Sequence, residues 1–596
     1  MDRKSYSSDD DSSFDDELPY LQMSPPPAPK STPPTPNGRL KLMVHSARQV
    51  VTPSFDPLTP YLAGKRQANI TVLEEDPLTG GVGIAVNHDG LIVYIGRTDR
   101  MRVIYRDFTV DKHIDATGMC VLPGFVDAHT HPVWAGDRID EFAMKLRGMS
   151  YMEIHEAGGG IFSTVDATSA AKTSSIYNAL CIRLKKMAES GTTLVECKSG
   201  YGLELNKEVR LLEVLQQAKS SQKNTINMSI TYCGAHAIPR NSNMEEATKR
   251  IVDVDLPYIA HLNKTGKLDV ENVDVFCDRG VFSEQHAELI LWKAKSLGFQ
   301  LNFHGDELYP MNSGQMGARV GATAISHLER IGEADMGGMR RAKRTVAVLL
   351  PSTGFAMRLR PPPARKLIAA RVPVALGSDF NPNVYCYSMP LIMNLACVYL
   401  RMTMEEALVA ATLNAAASLG KSDKHGSIVY NKFADLVIIN SPRWENIIYD
   451  FGNHGQIIKF VVMAGNIVKG PKHFDGSLPP RLRTDDVLQK RRRRRSTSLK
   501  MEGERKRRHS KCSPPPPPPH SHTQHQSIVC WYEEQIEAIK RKYKEDLQAV
   551  TRRYDRALNS KTGLYQCLVQ AASHNRHERT DADDIQAGGA GSSSKM

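Results

Sequence analysis

The chain lacks a CxxC pair: its ten cysteines are scattered over 596 residues. That pattern supports neither a zinc ribbon nor a disulfide scaffold, and reduced thiols in a cytoplasmic protein are the plain expectation. No run approaches the roughly 20 apolar residues of a membrane helix, so no membrane span is expected. The N-terminus is acidic and Ser/Pro-rich, without the basic-then-apolar opening of a signal peptide. A generally basic surface is missing as well. The formal net charge is +12, but Arg481 to Lys511 holds fourteen Lys/Arg against four Asp/Glu and supplies +10 of it. The remainder is near neutral, which makes nucleic-acid binding by a folded core an unfavoured reading.

What is present is globular: 41% hydrophobic and 24% charged residues, over a length that exceeds one ordinary domain. Residues 1–38 carry "DDDSSFDDE" and "SPPPAPKSTPPTP" and are expected to be a disordered tail. From about 40 the text becomes β-like, in "LKLMVHSARQVVT" and "GIAVNHDGLIVYIG", where Asp-Gly signals a hairpin. Similar text returns at "FADLVIINSP" and "IIKFVVMAGNIVKG". The expectation is a composite β-sandwich built from 39–118 and 426–475. Beyond 475 a basic, Pro-rich linker (476–525) precedes an amphipathic helix (526–572) and a disordered tail (573–596). The helix carries Tyr532, Ile536, Ile539, Tyr543, Leu547, Val550, Tyr554 and Leu558 at alternating steps of three and four, so 531–558 could meet a partner helix. The basic run 490–511 lacks interleaved aromatics, so it reads as a solvated linker, with a nuclear address as the alternative.

Between 119 and 425 strand-like and helix-like segments alternate. Strands are expected at Gly124–His129, Thr192–Cys197, Ser229–Cys233, Val273–Cys277, Phe299–His304, Ala322–His327, Thr345–Leu350 and Pro373–Asp379. Ser283–Gly298, "SEQHAELILWKAKSLG", reads as a helix with Ser as N-cap and Gly as its stop. Eight such alternations fit a (β/α)8 barrel. On that barrel His129, His131, His304, His327 and Asp379 stand at strand ends, with Glu307 three residues after His304. Strand ends of a barrel converge on one face, and three imidazoles with one carboxylate suit Zn2+ or iron. His113, His155, His261 and His286 are expected to be ordinary hydrogen-bonded residues outside the site.

The ordered stretches "LPGFVDAHTHP", "HGDE", "SHLE" and "GSDFNP" resemble the amidohydrolase superfamily. "GDR" at 136–138, "ECKSGYGL" at 196–203, "YCGAHAIP" at 232–239 and 350–382 narrow the resemblance to the imidazolonepropionase family, over roughly residues 40–475. The resemblance implies one Zn2+ or Fe2+/Fe3+ per subunit, held by His129, His131, His304 and Asp379. It implies Glu307 as general acid/base and His327 as stabiliser of a developing oxyanion, with Asp379 also part of the catalytic set. It makes Arg138 a clamp for a carboxylate tail and Tyr201, His236 and Asn381 substrate contacts. The implied reaction is hydrolysis of 4-imidazolone-5-propanoate to N-formimidoyl-L-glutamate by a homodimer. Arg138 could instead pair with Asp137 or Asp140, and Tyr201 could serve packing. The chain departs from the common bacterial pattern after Asp379: where Gly and Ser/Thr are usual, it has Asn383 and Val384. A carboxylated Lys198 bridging two metals, a purine or guanine deaminase, and an inactive barrel serving as scaffold are the competing readings.

Overall fold

The computed structural model describes residues 38–476, apart from 77–79, 150–152, 154–158, 222–225, 472–473 and 475. The expected tails, basic linker and C-terminal helix lie outside the described residues, as does His155. Eight parallel strands follow one another in chain order. They are β1 (Phe125–Asp127), β2 (Thr192–Lys198), β3 (Asn227–Ala235), β4 (Val270–Cys277), β5 (Gln300–Gly305), β6 (Ala324–His327), β7 (Val346–Leu349) and β8 (Val374–Leu376). The ring closes just past β1 and β8. There the His131 amide donates to the Phe380 carbonyl and the Asp379 amide to the His129 carbonyl, each at 2.9 Å. Below this closure the Asp127 carboxylate accepts from the Ser378 amide and hydroxyl, at 2.8 and 2.5 Å.

Period-two alternation explains why these sequences line a barrel. On the outer face Val195, Cys197, Ile230, Tyr232, Val273, Val275, Leu301 and Phe303 belong to the large core shared with the helices. The inner column begins apolar and becomes polar toward the C-terminal ends. Val126, Leu194, Ala324, Val346 and Ala375 form an apolar floor with Ala415, Ala416 and Leu419. Glu196, Lys198, Thr231, Asn272, Asp274, Asn302 and His304 are buried above it. The expected helix runs Glu284–Ser296; the Ser283 hydroxyl accepts from the His286 amide, and Gly298 follows at φ 91.

Two further sheets flank the barrel. A four-stranded sheet contains Arg39–Ala47, Val82–Val86, Ile92–Arg97 and Thr109–Asp115. A six-stranded sheet joins Gln49–Thr52, Thr71–Glu74 and Cys120–Pro123 from one flank to Leu436–Ile439, Ile458–Met463 and Asn466–Lys469 from the other. Leu42, Val44 and Ile84 of the first share a core with Val50, Val121, Leu436, Ile438 and Val462 of the second. Cys120–Pro123 therefore belongs to the sheet, although the barrel was expected from 119. Among the described residues no helix is long and apolar enough to cross a membrane.

Candidate active site

The hydrogen-bonded part of β1 stops at Asp127 and that of β8 at Leu376, earlier than expected. His129, His131 and Asp379 are thus in the loops beyond, not at strand ends. Just beyond β8, Asp379 takes a left-handed backbone (φ 46). The backbone packs closely at Gly377, where a Cβ would come within 2.9 Å of the His129 Cβ. His304 lies within β5, and His327 closes β6 at φ 77.

These residues meet. Nε2 of His131 is 3.3 Å from Nε2 of both His129 and His304. Asp379 Oδ1 is 3.6 Å from Nε2 of His129 and 3.7 Å from that of His131. The hydroxyl of Thr353 donates to Asp379 Oδ2 at 2.6 Å. Two sets, His129–His131–Asp379 and His129–His304–His327, each bring three ligand atoms within 4.8 Å of one another. Imidazole nitrogens and a carboxylate converging in this way could hold a metal ion.

The ring partners fix which nitrogens are free. Asp274 can only accept, so Nδ1 of His304, 2.6 Å from Asp274 Oδ1, carries the proton and Nε2 offers its lone pair. Nδ1 of His129 lies 2.8 Å from Ser326 Oγ. Burial, with Lys198 and His327 adding to it, holds His129 and His131 well below the ordinary histidine range, and burial likewise lowers His304. All three are neutral donors, as a metal requires.

Below them lies a buried ionic network. Lys198 Nζ donates to Glu196 Oε1 and to Asp274 Oδ2, both at 2.7 Å. Thr231 also donates to Glu196 at 2.6 Å. Burial opposes the charge on Lys198, yet Asp274 and Glu196 raise its pKa. Burial alone would raise Asp274, but His304 and Lys198 hold it well below the carboxylate range. Lys198 is therefore an ammonium between two carboxylates, which agrees with the expectation that it is not a carboxylated metal bridge.

Glu307 Oε2 is 3.5 Å from Nε2 of His327, whose Nδ1 is 3.7 Å from Glu329 Oε1. Burial raises the Glu307 carboxyl to about 8. For His327 burial works against the charge, but Glu307 and Glu329 lift it to about 10. Neither oxygen of buried Glu329 has a hydrogen-bond partner. Glu329 also lines a cleft of about 670 Å3 between the loops that follow β5, β6 and β7.

On the opposite side His236 stacks on His131, with centroids 4.7 Å apart and planes at 15°. Its Nδ1–H donates to the Gly200 carbonyl at 2.9 Å, and burial depresses it to about 3, leaving a neutral ring with a bare Nε2. Tyr201 is buried beside His131, Trp134 and His236. Arg138 is buried, donates from Nε to Thr164 Oγ1 at 2.9 Å and lies 3.9 Å from Glu141. Glu141, not Asp137 or Asp140, is its carboxylate neighbour. Asn381 spends its side chain on its own turn, donating to the Asp379 carbonyl and accepting from the Asn383 and Val384 amides. Of the histidines set aside, His113 lies on a strand and His261 in a helix, while His286 stands 2.7 Å from Ser283 Oγ. None of the three is among the residues that group as candidate metal ligands.

The sequence reading missed Asp274, Glu196, Ser326, Thr353, Glu329 and Cys233. Cys233 groups with His131 and His236, but burial pushes its thiol well above the ordinary value. Alternation in β2 and β4 was the available signal for Glu196 and Asp274, since a charge amid apolar neighbours in a central parallel strand must face a partner.

A model of the amidohydrolase family matches residues 312–467. The "Probable imidazolonepropionase" of Danio rerio is 51% identical over 72% of this chain and 96% of its own length. Those of Homo sapiens and Dictyostelium discoideum are 47% and 46% identical, each over 72% of this chain and 98% of its own. Among solved structures, an adenosine deaminase from Xanthomonas campestris with bound zinc superposes at a TM-score of 0.54, with 19% identity, covering 77% of this chain and 98% of its own. A guanine deaminase from C. acetobutylicum gives 0.51 at 14% identity, over 72% of this chain and 100% of its own. Those two likenesses establish the fold. With 47–51% of the aligned residues identical along nearly the whole length of these relatives, the chain belongs to the imidazolonepropionase family of amidohydrolases.

Proposed function

We propose that the protein hydrolyses 4-imidazolone-5-propanoate to N-formimidoyl-L-glutamate, using one zinc or iron ion held by His129, His131, His304 and Asp379. The observation carrying this reading is the convergence of neutral imidazole Nε2 atoms and the Asp379 carboxylate beside Glu307, at the barrel end where Arg138 also lies. When bound, such an ion lowers the pKa of water toward about 7 and polarises a carbonyl. Glu307 takes the proton of the attacking water and delivers it to the ring nitrogen that leaves as the carbonyl–nitrogen bond breaks. Its high proton affinity, a consequence of burial, suits the delivery half of that task. His327, cationic between Glu307 and Glu329, faces the oxygen on which negative charge develops. Tyr201 and His236 wall the ring, and Arg138 orients the propionate.

The deaminase reading draws on likeness of fold and on the His304-x-x-Glu307 spacing, against which Arg138 and the stretch Lys198–Leu203 favour a substrate with an acid tail. A retired scaffold has no physical use for a complete set of buried donors. Seven described cysteines are free thiols, which supports a cytoplasmic setting, and light scattering tests the homodimer that the family resemblance implies. The decisive experiment gives the full chain freshly made imidazolone propionate while metal content is measured. Ring opening with about one ion per chain is expected. A folded, metal-loaded protein that leaves the ring intact would overturn the assignment.

A further inference from the structure

The turn where the chain departs from the bacterial pattern points to a second cation in the site. Asn381 ties down the backbone from Asp379 to Val384, and that turn presents Asn383 to the helix Ile139–Leu146. There Lys145 Nζ donates to Asn383 Oδ1 at 3.1 Å, with Met357 Sδ at the same distance. Both acceptors are neutral. Arg138 caps the same helix two turns earlier, close enough for its charge to be felt by Tyr201 and His236 on one side and by Lys145 on the other.

Lys145 is half-buried, and its pKa is lowered by burial and then by Arg138. The one carboxylate acting on Lys145, Glu141, is committed elsewhere. Glu141 Oε1 accepts from the Gly160 amide at 3.0 Å and from the Ser163 hydroxyl at 2.9 Å, while Oε2 faces Arg138. Arg138 therefore opposes the charge on Lys145, and the carboxylate acting on Lys145 already serves other donors. Such an arrangement is unfavourable until an anion arrives.

We infer that Lys145, held by Asn383, is a second substrate-binding cation that grips the carboxylate tail together with Arg138. The identity of the tail rests on the proposed function; the requirement for an anionic group does not. The Asn383 carbonyl oxygen holds the ammonium in place without neutralising it. Arg138 fixes the direction of the carboxylate through its planar fork, and Lys145 supplies a compact charge that completes the pair.

The test measures calorimetric binding of imidazole-4-propanoate and of its neutral amide to the metal-loaded full chain, wild type and Lys145→Met. Neither ligand has the ring carbonyl–nitrogen bond that the proposed reaction opens, so the result is independent of that turnover. The wild type is expected to prefer the acid, and Lys145→Met to lose about tenfold of that preference while binding the amide unchanged. Lys145→Arg should restore most of it. Equal losses for acid and amide, or an unaltered preference in Lys145→Met, would overturn the assignment. If Lys145→Met does not fold, Asn383→Ala serves: it frees the ammonium and should reduce the preference severalfold, with no reduction refuting the proposal. Loss of preference in a protein that never opens the imidazolone ring would sink the proposed reaction and leave the clamp standing.

Discussion

Replacing Asp274 by Asn changes one atom and should uncouple the metal cradle from its support. The Asp274 carboxylate serves two donors on opposite sides, accepting from His304 through Oδ1 at 2.6 Å and from Lys198 through Oδ2 at 2.7 Å. An amide has one acceptor, so its NH2 must face either the ammonium or the imidazole. Lys198 cannot give up its protons readily, because Glu196 also holds it. The amide oxygen therefore turns to Lys198 and the NH2 to His304. The imidazole then accepts at Nδ1 and moves its proton to Nε2, the nitrogen that points at His131. Loss of such a partner typically lowers metal affinity about 10–100-fold, or about 1.4–2.7 kcal/mol at 1.36 kcal/mol per tenfold. Lys198 keeps one carboxylate, so the metal-free protein should lose only about 1–3 kcal/mol. Competition with a chromogenic chelator gives the affinity, and denaturant unfolding of the metal-free protein gives the stability. An affinity within twofold of wild type in a folded protein would refute the tautomer argument.

Three further outcomes follow from the same geometry. Glu307→Gln should retain the metal and lose about 10^2–10^4 in kcat; an active, metal-loaded variant would show that Glu307 moves no proton. Glu329→Gln removes the carboxylate 3.7 Å from His327 Nδ1, so kcat should fall about tenfold or more with KM little changed; a rise in KM alone would place Glu329 in binding. Gly377→Ala sets a Cβ 2.9 Å from the His129 Cβ and 3.0 Å from its backbone nitrogen. Metal content after dialysis should drop sharply, and full retention would mean that the His129 loop is softer than its packing implies.

The barrel was legible because its strands are short apolar runs at regular intervals between amphipathic helices, a pattern set by local chemistry. Strand ends were less legible. Gly124–His129 and Pro373–Asp379 read as continuous strands, yet both leave the ladder early. The reason is tertiary: β1 and β8 close the ring, and their last residues bond across the seam rather than along it. The helix after β4, by contrast, carries its Ser cap and Gly stop in the sequence itself and appeared within two residues of expectation.

The same division runs through the site. His129, His131, His304, Glu307, His327 and Asp379 could be picked out in advance because metal binding and proton transfer demand particular residue types in a particular order along the chain. Asp274, Lys198 and Glu329 could not be assigned roles, since an acid or lysine in a strand declares its purpose only when its partners are known. Asn383 shows this most plainly. In sequence it is a departure from a pattern; in the folded protein it meets Lys145, a residue 238 positions away. The sequence by itself determined which chemistry the barrel could perform, because that depends on residue type. Only the tertiary structure decided which nitrogens are free, which charges are paired and which are left waiting for a ligand, because those depend on distances between elements that no local pattern encodes.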